Sequence, residues 1–403
     1  MHILLIHQAF AALDEPGGTR HDEFARFLAG RGHKVTVIAS PVSYLTGSLT
    51  PGPSPASQER GAGVRVIRAY TYRALHKSFV HRVFSFLSFM ASSFWIGLGV
   101  KNVDLVWGTS PPIFQGVTAW ALARLKGVPF IFEVRDLWPK FAIAVGVLRN
   151  PILIKMSLWL ERFLYHRADR LMVNSPGYIA HVTGNGAREV ELIPNGADAA
   201  MFHPEDDGDA FRTLHRLAGK FVLLYAGAHG MSNDLGVVLA AAKRLLGMSP
   251  EVMVIFLGDG KEKSTLQKQA ASMDLTNVLF LPPIPKNGMA EALAGADACL
   301  AILKPIDEYK TTYPNKVFDY MAAGRPVVLA IDGVIREVVE AAGCGVFAEP
   351  GNPSALAEAV RTLAGDPRRS REMGLAGQKY LEENFNRTLL GEKLATILEE
   401  MAQ

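Results

Sequence analysis

Short, mainly apolar runs punctuate the chain. In the first half they fall at residues 2–7, 34–39, 64–68, 103–107, 128–134, 170–173 and 190–193. In the second they fall at 221–226, 251–257, 277–281, 298–302 and 326–331. The clearest, Pro326-Val327-Val328-Leu329-Ala330-Ile331, is what a parallel strand covered on both faces requires. Stretches of helical period lie between them, among them 19–30, 111–126 and 150–167. Strand and helix in alternation predict βαβ units and the α/β class. At 403 residues the chain exceeds what one ordinary core holds, so two domains are expected. The turn Pro194-Asn195-Gly196-Ala197-Asp198 and the acidic run 205–209 read as a linker. This gives a first domain over 1–198, a second over 199–366 and closing helices over 367–403.

One apolar stretch is of a different kind. Residues 83–100, VFSFLSFMASSFWIGLGV, carry no charge and follow Arg73, His76, Lys77, His81 and Arg82. Their length meets the requirement for a membrane span. Their serines and glycines lower the mean hydropathy, and the strand at 103–107 follows at once, so a helix docked on the sheet is expected instead. A buried helix and a basic, aromatic edge resting on anionic lipid are both compatible with the pattern. Residues 41–63, rich in Pro, Gly and Ser, read as a long loop that could serve as an acceptor-binding element or lid.

The segment with most chemical content is 309–331, YKTTYPNKVFDYMAAGRPVVLAI. Pro314 suits a first helical turn, and Val317, Phe318, Tyr320 and Met321 give the helix an apolar face. Free amides and the dipole at such a helix start attract phosphate; Lys316 adds a cation, and Asp319 can accept from ribose hydroxyls. Taken alone, the local pattern favours an ordinary solvated helix start with a surface lysine over a phosphate site. Gly17-Gly18, between the first strand and helix, marks either a plain turn or a close approach of backbone to ligand. Glu133, Arg135 and Asp136 stand at the carboxyl end of a strand, where open α/β sheets bind ligands, or else brace a loop as an ion pair.

Composition narrows the partners. Hydrophobic residues make up 49% and charged residues 20%, as in soluble globular proteins. The net charge of +3 is uneven: residues 1–200 hold 21 Lys/Arg against 13 Asp/Glu, and residues 201–403 hold 21 against 26. A basic first half without a nucleic-acid motif suits anionic lipid head groups or a lipid pyrophosphate. Cys299 and Cys344 offer neither a disulfide framework nor a thiolate zinc site, which points to a reducing cytosol. The opening strand has no basic n-region and is not read as a signal peptide. There is no G-x-G-x-x-G, G-x-S-x-G or Walker motif, no acidic or His cluster with metal spacing, and no carboxylate pair that nominates a hydrolase.

PNKVFDYMAAGRPVV resembles the donor-site signature P-(S/N)-K-x-x-E-Y-x-A-x-G-x-P-V of the retaining GT-B glycosyltransferases of family 4, and most resembles their WbuB-like branch in bacterial surface-polysaccharide assembly. GGTRHDEFARFLAGRGHKVTVIA, FEVRDLWP, IPNGAD, YAGAHGMSNDLG and FLGDGKEK follow in family order over nearly the whole chain. The resemblance implies two facing Rossmann-like domains with a deep interdomain cleft and C-terminal helices crossing back to the first domain. It implies no metal or other cofactor, only a nucleotide-sugar substrate, with UDP the expected nucleotide.

Carried over by position, the family's ribose-binding Glu falls at Asp319, and its first Glu, eight positions earlier, at Thr311. Its first-loop Arg and Lys are replaced in the stretch of His229, Gly230 and Ser232. The expected donor site then comprises Gly17, Gly18, Gly230, Gly260, Lys263, Ile284, Thr311, Thr312, Tyr313, Asn315, Lys316 and Asp319. His229, Lys263, Lys304 or Lys316 would balance phosphate charge, and base recognition would use backbone near Gly260 and in 283–285. Glu133, Arg135, Asp136 and His229 are the catalytic candidates; where the family often holds a His, this chain has Arg135.

The expected activity is transfer of a hexose, N-acetylated or deoxy among the options, from a UDP-sugar to a lipid-pyrophosphate-linked or polysaccharide acceptor. The expected location is cytoplasmic, peripheral on the inner face of the membrane. A UDP-sugar 2-epimerase and an idle sugar-nucleotide-binding partner of a glycosyltransferase are the alternatives on this fold.

Overall fold

The computed structural model describes residues 1–42, 58–59, 63–73, 79–206 and 208–403. Most of the expected loop at 41–63, with His76 and Lys77, lies outside the described residues. The chain divides into two compact units, residues 1–194 with 388–403, and residues 195–387.

The first unit is built on strands β1 (His2–Ile6), β2 (Lys34–Ala39), β3 (Gln58–Glu59), β4 (Val64–Arg68), β5 (Leu105–Ser110), β6 (Phe130–Val134), β7 (Arg170–Val173) and β8 (Val190–Leu192). They form one sheet in the order β3-β4-β2-β1-β5-β6-β7-β8, parallel except for β3. Alternate residues of a strand point to opposite faces. Ile3 and Leu5 accordingly pack with Phe24, Leu28, Leu394 and Leu398 of helices Arg20–Gly30 and Arg387–Met401. Leu4 and Ile6 lie in the other core, with Phe89, Leu122 and Leu164 of helices Phe79–Gly99, Phe114–Lys126 and Pro151–Arg167.

The second unit repeats the plan with β9 (Phe221–Ala226), β10 (Val252–Leu257), β11 (Val278–Leu281), β12 (Ala298–Ile302), β13 (Val327–Ala330) and β14 (Gly345–Phe347). All pair in parallel, in the order β11-β10-β9-β12-β13-β14. Helices Asn315–Ala322 and Val334–Ala341 cover one face, and Leu235–Met248 and Pro353–Gly365 the other.

The closing stretch 367–403 is divided between the units. Helix Pro367–Asn384 packs within the second unit so closely that a Cβ on Gly374 would lie 2.0 Å from the Gly324 carbonyl oxygen, and one on Gly377 2.8 Å from Cys344 Cβ. Only residues from Thr388 belong with the first unit. In each sheet the strand order reverses once, between β1 and β5 and between β9 and β12. The crevice outside the carboxyl ends at such a reversal is where open α/β sheets take ligands.

Candidate active site

In the second unit the reversal point is furnished by the loop after β9 and by helix Asn315–Ala322. Pro314 precedes this helix in extended conformation. Asn315 and Lys316, at its first two positions, have no residue one turn earlier in the helix to accept from their amides. Lys316 Nζ lies 3.8 Å from the centre of the Tyr225 ring. It also rests against Gly227, where a Cβ would come within 2.9 Å of it at a φ of +143°. Burial lowers the Lys316 pKa to about 7. Among the described residues no carboxylate pairs with it. A half-buried ammonium with no carboxylate partner among the described residues, beside free helix amides, suits an anion.

Asp319, one turn further on, is held by Lys286, whose Nζ is 2.5 Å from Oδ1, and it faces Asn315 Nδ2 at 3.5 Å. The Asn315 side-chain oxygen Oδ1 is buried without a partner. Thr311 donates to the Glu308 carbonyl at 2.6 Å, and the Thr312 amide donates to the Tyr309 carbonyl at 3.1 Å. Tyr313 packs its ring on Phe318 and Phe385, while its carbonyl accepts from Asn195 at 2.7 Å. Gly230 follows in the β9 loop, and its amide has no acceptor among the described residues. Gly260, at φ +155°, backs onto His229, where a Cβ would meet the carbonyl oxygen at 2.5 Å. Ile284 is half-buried against the core beneath helix Asn315–Ala322.

Two expected phosphate cations are corrected. His229 is fully buried among Tyr225, Phe256 and Phe280, both ring nitrogens lack partners, and burial lowers its pKa to about 4. The ring is neutral at pH 7, offers no charge to a phosphate and is not exposed for catalysis. Lys263 donates to the Gly258 and Leu281 carbonyls at 2.7 and 2.9 Å, so its ammonium ties the ends of β10 and β11 together.

In the first unit, Glu133 is fully buried and both its oxygens are engaged. Arg20 Nε donates to Oε1 at 3.0 Å and His21 Nε2 to Oε2 at 2.6 Å. Burial pushes the Glu133 pKa up, but the neighbouring His21 and Arg20 outweigh it and hold the carboxyl well below its ordinary range. Burial takes the His21 pKa down to about 4, so His21 donates as a neutral imidazole. Arg20 also donates to the Ile193 and Pro194 carbonyls, both at 2.7 Å. Glu133 is therefore the centre of a structural knot rather than an acceptor-orienting group.

Arg135 donates to the Ser110 carbonyl at 2.9 Å, which braces the turn after β5. Asp136 keeps one carboxylate oxygen outside any hydrogen bond among the described residues; the other accepts from the Trp138 amide at 3.1 Å. Burial raises its pKa to about 6, against the pull of Arg135. Gly17 and Gly18 lie in the loop before helix Arg20–Gly30. Gly17, at φ +149°, would bring a Cβ within 2.9 Å of Ala11 Cβ, whereas Gly18 stands in open space.

Sequence reading missed Tyr225, Gly227 and Lys286. A glycine immediately after a fully apolar strand was a usable signal for Gly227. Nothing local marked Lys286.

Two parallel-sheet units in series with these strand orders make up the GT-B fold, and solved structures agree. Sucrose-phosphate synthase from Thermosynechococcus elongatus matches with a TM-score of 0.82 at 18% identity, over 99% of this chain and 98% of that one. Anabaena HepE in complex with UDP and glucose matches with a TM-score of 0.75 at 17% identity, over 99% and 100%. The chain belongs to glycosyltransferase family 4. Residues 17–196 match the glycosyl transferase 4-like domain, and residues 220–366 match glycosyl transferases group 1. Among curated relatives, the putative colanic acid biosynthesis glycosyl transferase WcaI of Escherichia coli K12 is 26% identical over 353 residues, covering 84% of this chain and 86% of WcaI.

Proposed function

We propose that the protein is a retaining, metal-independent glycosyltransferase that moves a hexose from a UDP-sugar to a lipid-pyrophosphate-linked or polysaccharide acceptor in bacterial surface-glycan synthesis. The observation that carries this reading is Lys316: an unpaired ammonium over the Tyr225 ring, beside free helix amides, at the strand-order reversal of the second unit. As the glycosidic bond lengthens, negative charge grows on the diphosphate. Preorganised dipoles and one desolvated cation stabilise it there more than in water. Asp319, steadied by Lys286, would accept from the ribose. In the first unit Asp136 would orient the acceptor hydroxyl. HepE, crystallised with UDP and glucose, supports the nucleotide, and the colanic acid role in the name of WcaI supports the glycan class. An acceptor carried on lipid implies a cytoplasmic enzyme, peripheral on the inner face of the membrane.

The test is incubation with UDP- and GDP-sugars and membrane lipid extract, in the presence of EDTA. A lipid-linked product from a UDP-sugar supports the reading. A free sugar isomer would establish the 2-epimerase instead, and nucleotide binding without turnover would establish the idle partner. Dependence on added metal would overturn the metal-independent part.

A further inference from the structure

Helix Phe79–Gly99 is built inside out. Among the described residues its segment His81–Gly99 is the one helix long and apolar enough to cross a membrane, yet only 22% of that window is buried. The residues turned inward are Ser85, Phe89, Ser93 and Gly97. Gly97 sits so close to the neighbouring helix Phe114–Lys126 that a Cβ would be 2.4 Å from Leu122 Cδ1, and Thr118 Oγ1 there donates to the Met90 carbonyl at 3.1 Å. The residues turned outward, at helical spacing, are Phe84, Leu87, Ala91, Trp95 and Leu98. A helix facing water would show the reverse arrangement. Of the two readings, a wholly buried helix is corrected: Phe89 is enclosed, but Trp95 is 72% and Phe84 58% accessible.

A second helix on the same face of the sheet, Pro151–Arg167, repeats the feature. Ile152, Met156 and Trp159 form an exposed stripe, 68%, 60% and 65% accessible. The stripe then gives way to Arg162, His166 and Arg167. Beyond it a groove of about 850 Å³ is lined by Arg124, Arg167, Arg170 and Arg188 against the two acids Asp169 and Glu189. Residues 79–167 carry ten Lys/Arg and four Asp/Glu, and two of those acids, Glu133 and Glu161, are fully buried.

We infer that the outer faces of these two helices form one docking surface for an anionic phospholipid bilayer, with the aromatic stripes in the interface and the arginine-lined groove at the head groups. Charge selects this occupant. A second copy of the chain would set like charges against each other, whereas an anionic surface complements them. Spanning is ruled out, because one side of helix Phe79–Gly99 is committed to protein along its length. The inference deepens the proposed lipid-linked acceptor by naming the surface that would bring the enzyme to it.

Co-sedimentation with vesicles tests this, using phosphatidylglycerol mixed with phosphatidylcholine and phosphatidylcholine alone. Brominated acyl chains serve as quenchers of tryptophan fluorescence. The expected result is binding that needs phosphatidylglycerol, with quenching. Partitioning should fall about tenfold or more in the pair Leu87→Ser/Trp95→Ser and again in the pair Met156→Ser/Trp159→Ser. UDP affinity, measured on the same proteins, should be unchanged; this readout separates failure of the docking surface from failure of the donor assignment. No vesicle binding, or binding that survives both pairs, overturns the inference. Loss with only one pair overturns the two-helix surface. A dimer that dissociates in the variants, without vesicle binding, makes a second copy the occupant.

Discussion

Replacing Lys316 by Met removes the ammonium and keeps most of the apolar stem that lies over Tyr225. A hydrogen bond from a charged donor contributes roughly 1.5–3 kcal/mol, so the Kd for a UDP-sugar should rise about 10- to 150-fold. The Lys316 pKa of about 7 supplies a second, independent signature. Bound diphosphate favours the ammonium and raises this pKa, so binding takes up a proton wherever the free amine is neutral. Calorimetry with UDP-glucose in buffers of different ionisation enthalpy should therefore show uptake approaching one proton well above pH 7 and none well below it. Affinity should be greatest below pH 7 and fall as pH rises through it. The variant should show neither effect. Arginine should not rescue, because Gly227 leaves no space for the larger head group. An unchanged Kd in Lys316→Met, or wild-type binding without proton uptake across this range, would refute the electrostatic argument.

Three further outcomes follow from the same geometry. Asp136 ionises at about pH 6, so kcat/KM should climb as pH rises through that value; Asp136→Asn should abolish the limb and lower transfer about a hundredfold, as measured in pH profiles. Glu133→Gln should lower stability by about 3–5 kcal/mol in urea melts, because Arg20 stays buried without its counter-charge, while UDP affinity holds. Glu133 has a depressed pKa, so its contribution is present above the ordinary carboxyl range and fades as pH falls below it. His229→Leu should leave donor affinity within about twofold and stability equal or higher, since no hydrogen bond is lost. Wild-type stability should decline from pH 6.5 towards 4 as the buried ring is forced to charge, and thermal melts of the variant should lack that share of the decline.

The architecture was legible because buried parallel strands write themselves as unbroken apolar runs; 221–226 and 298–302 became β9 and β12 without revision. The short β14 was missed, since Gly345-Val346-Phe347 is too brief to show a period. The place of Lys316 at a helix start was legible because helix-start signals are local. What a charged group does after folding was not. Glu133, Lys263 and His229 each stood where a ligand contact was expected, and each is engaged or enclosed by residues distant in sequence. The reversed helix was hidden for a related reason: composition gives the apolar residues of 83–100 but not which side faces the sheet. That choice is made by the close approach of Gly97 to Leu122.

The setting of Lys316 has a chemical consequence apart from catalysis. A primary amine with a pKa of about 7 is half unprotonated at neutrality, whereas an ordinary lysine carries a free lone pair only once in thousands. Lys316 should therefore react faster than an ordinary lysine with amine-directed acylating reagents or aldehydes. Its modification at neutral pH, followed by peptide mass mapping, should outpace that of solvent-exposed lysines such as Lys261, and a nucleotide occupying the same place should shield it.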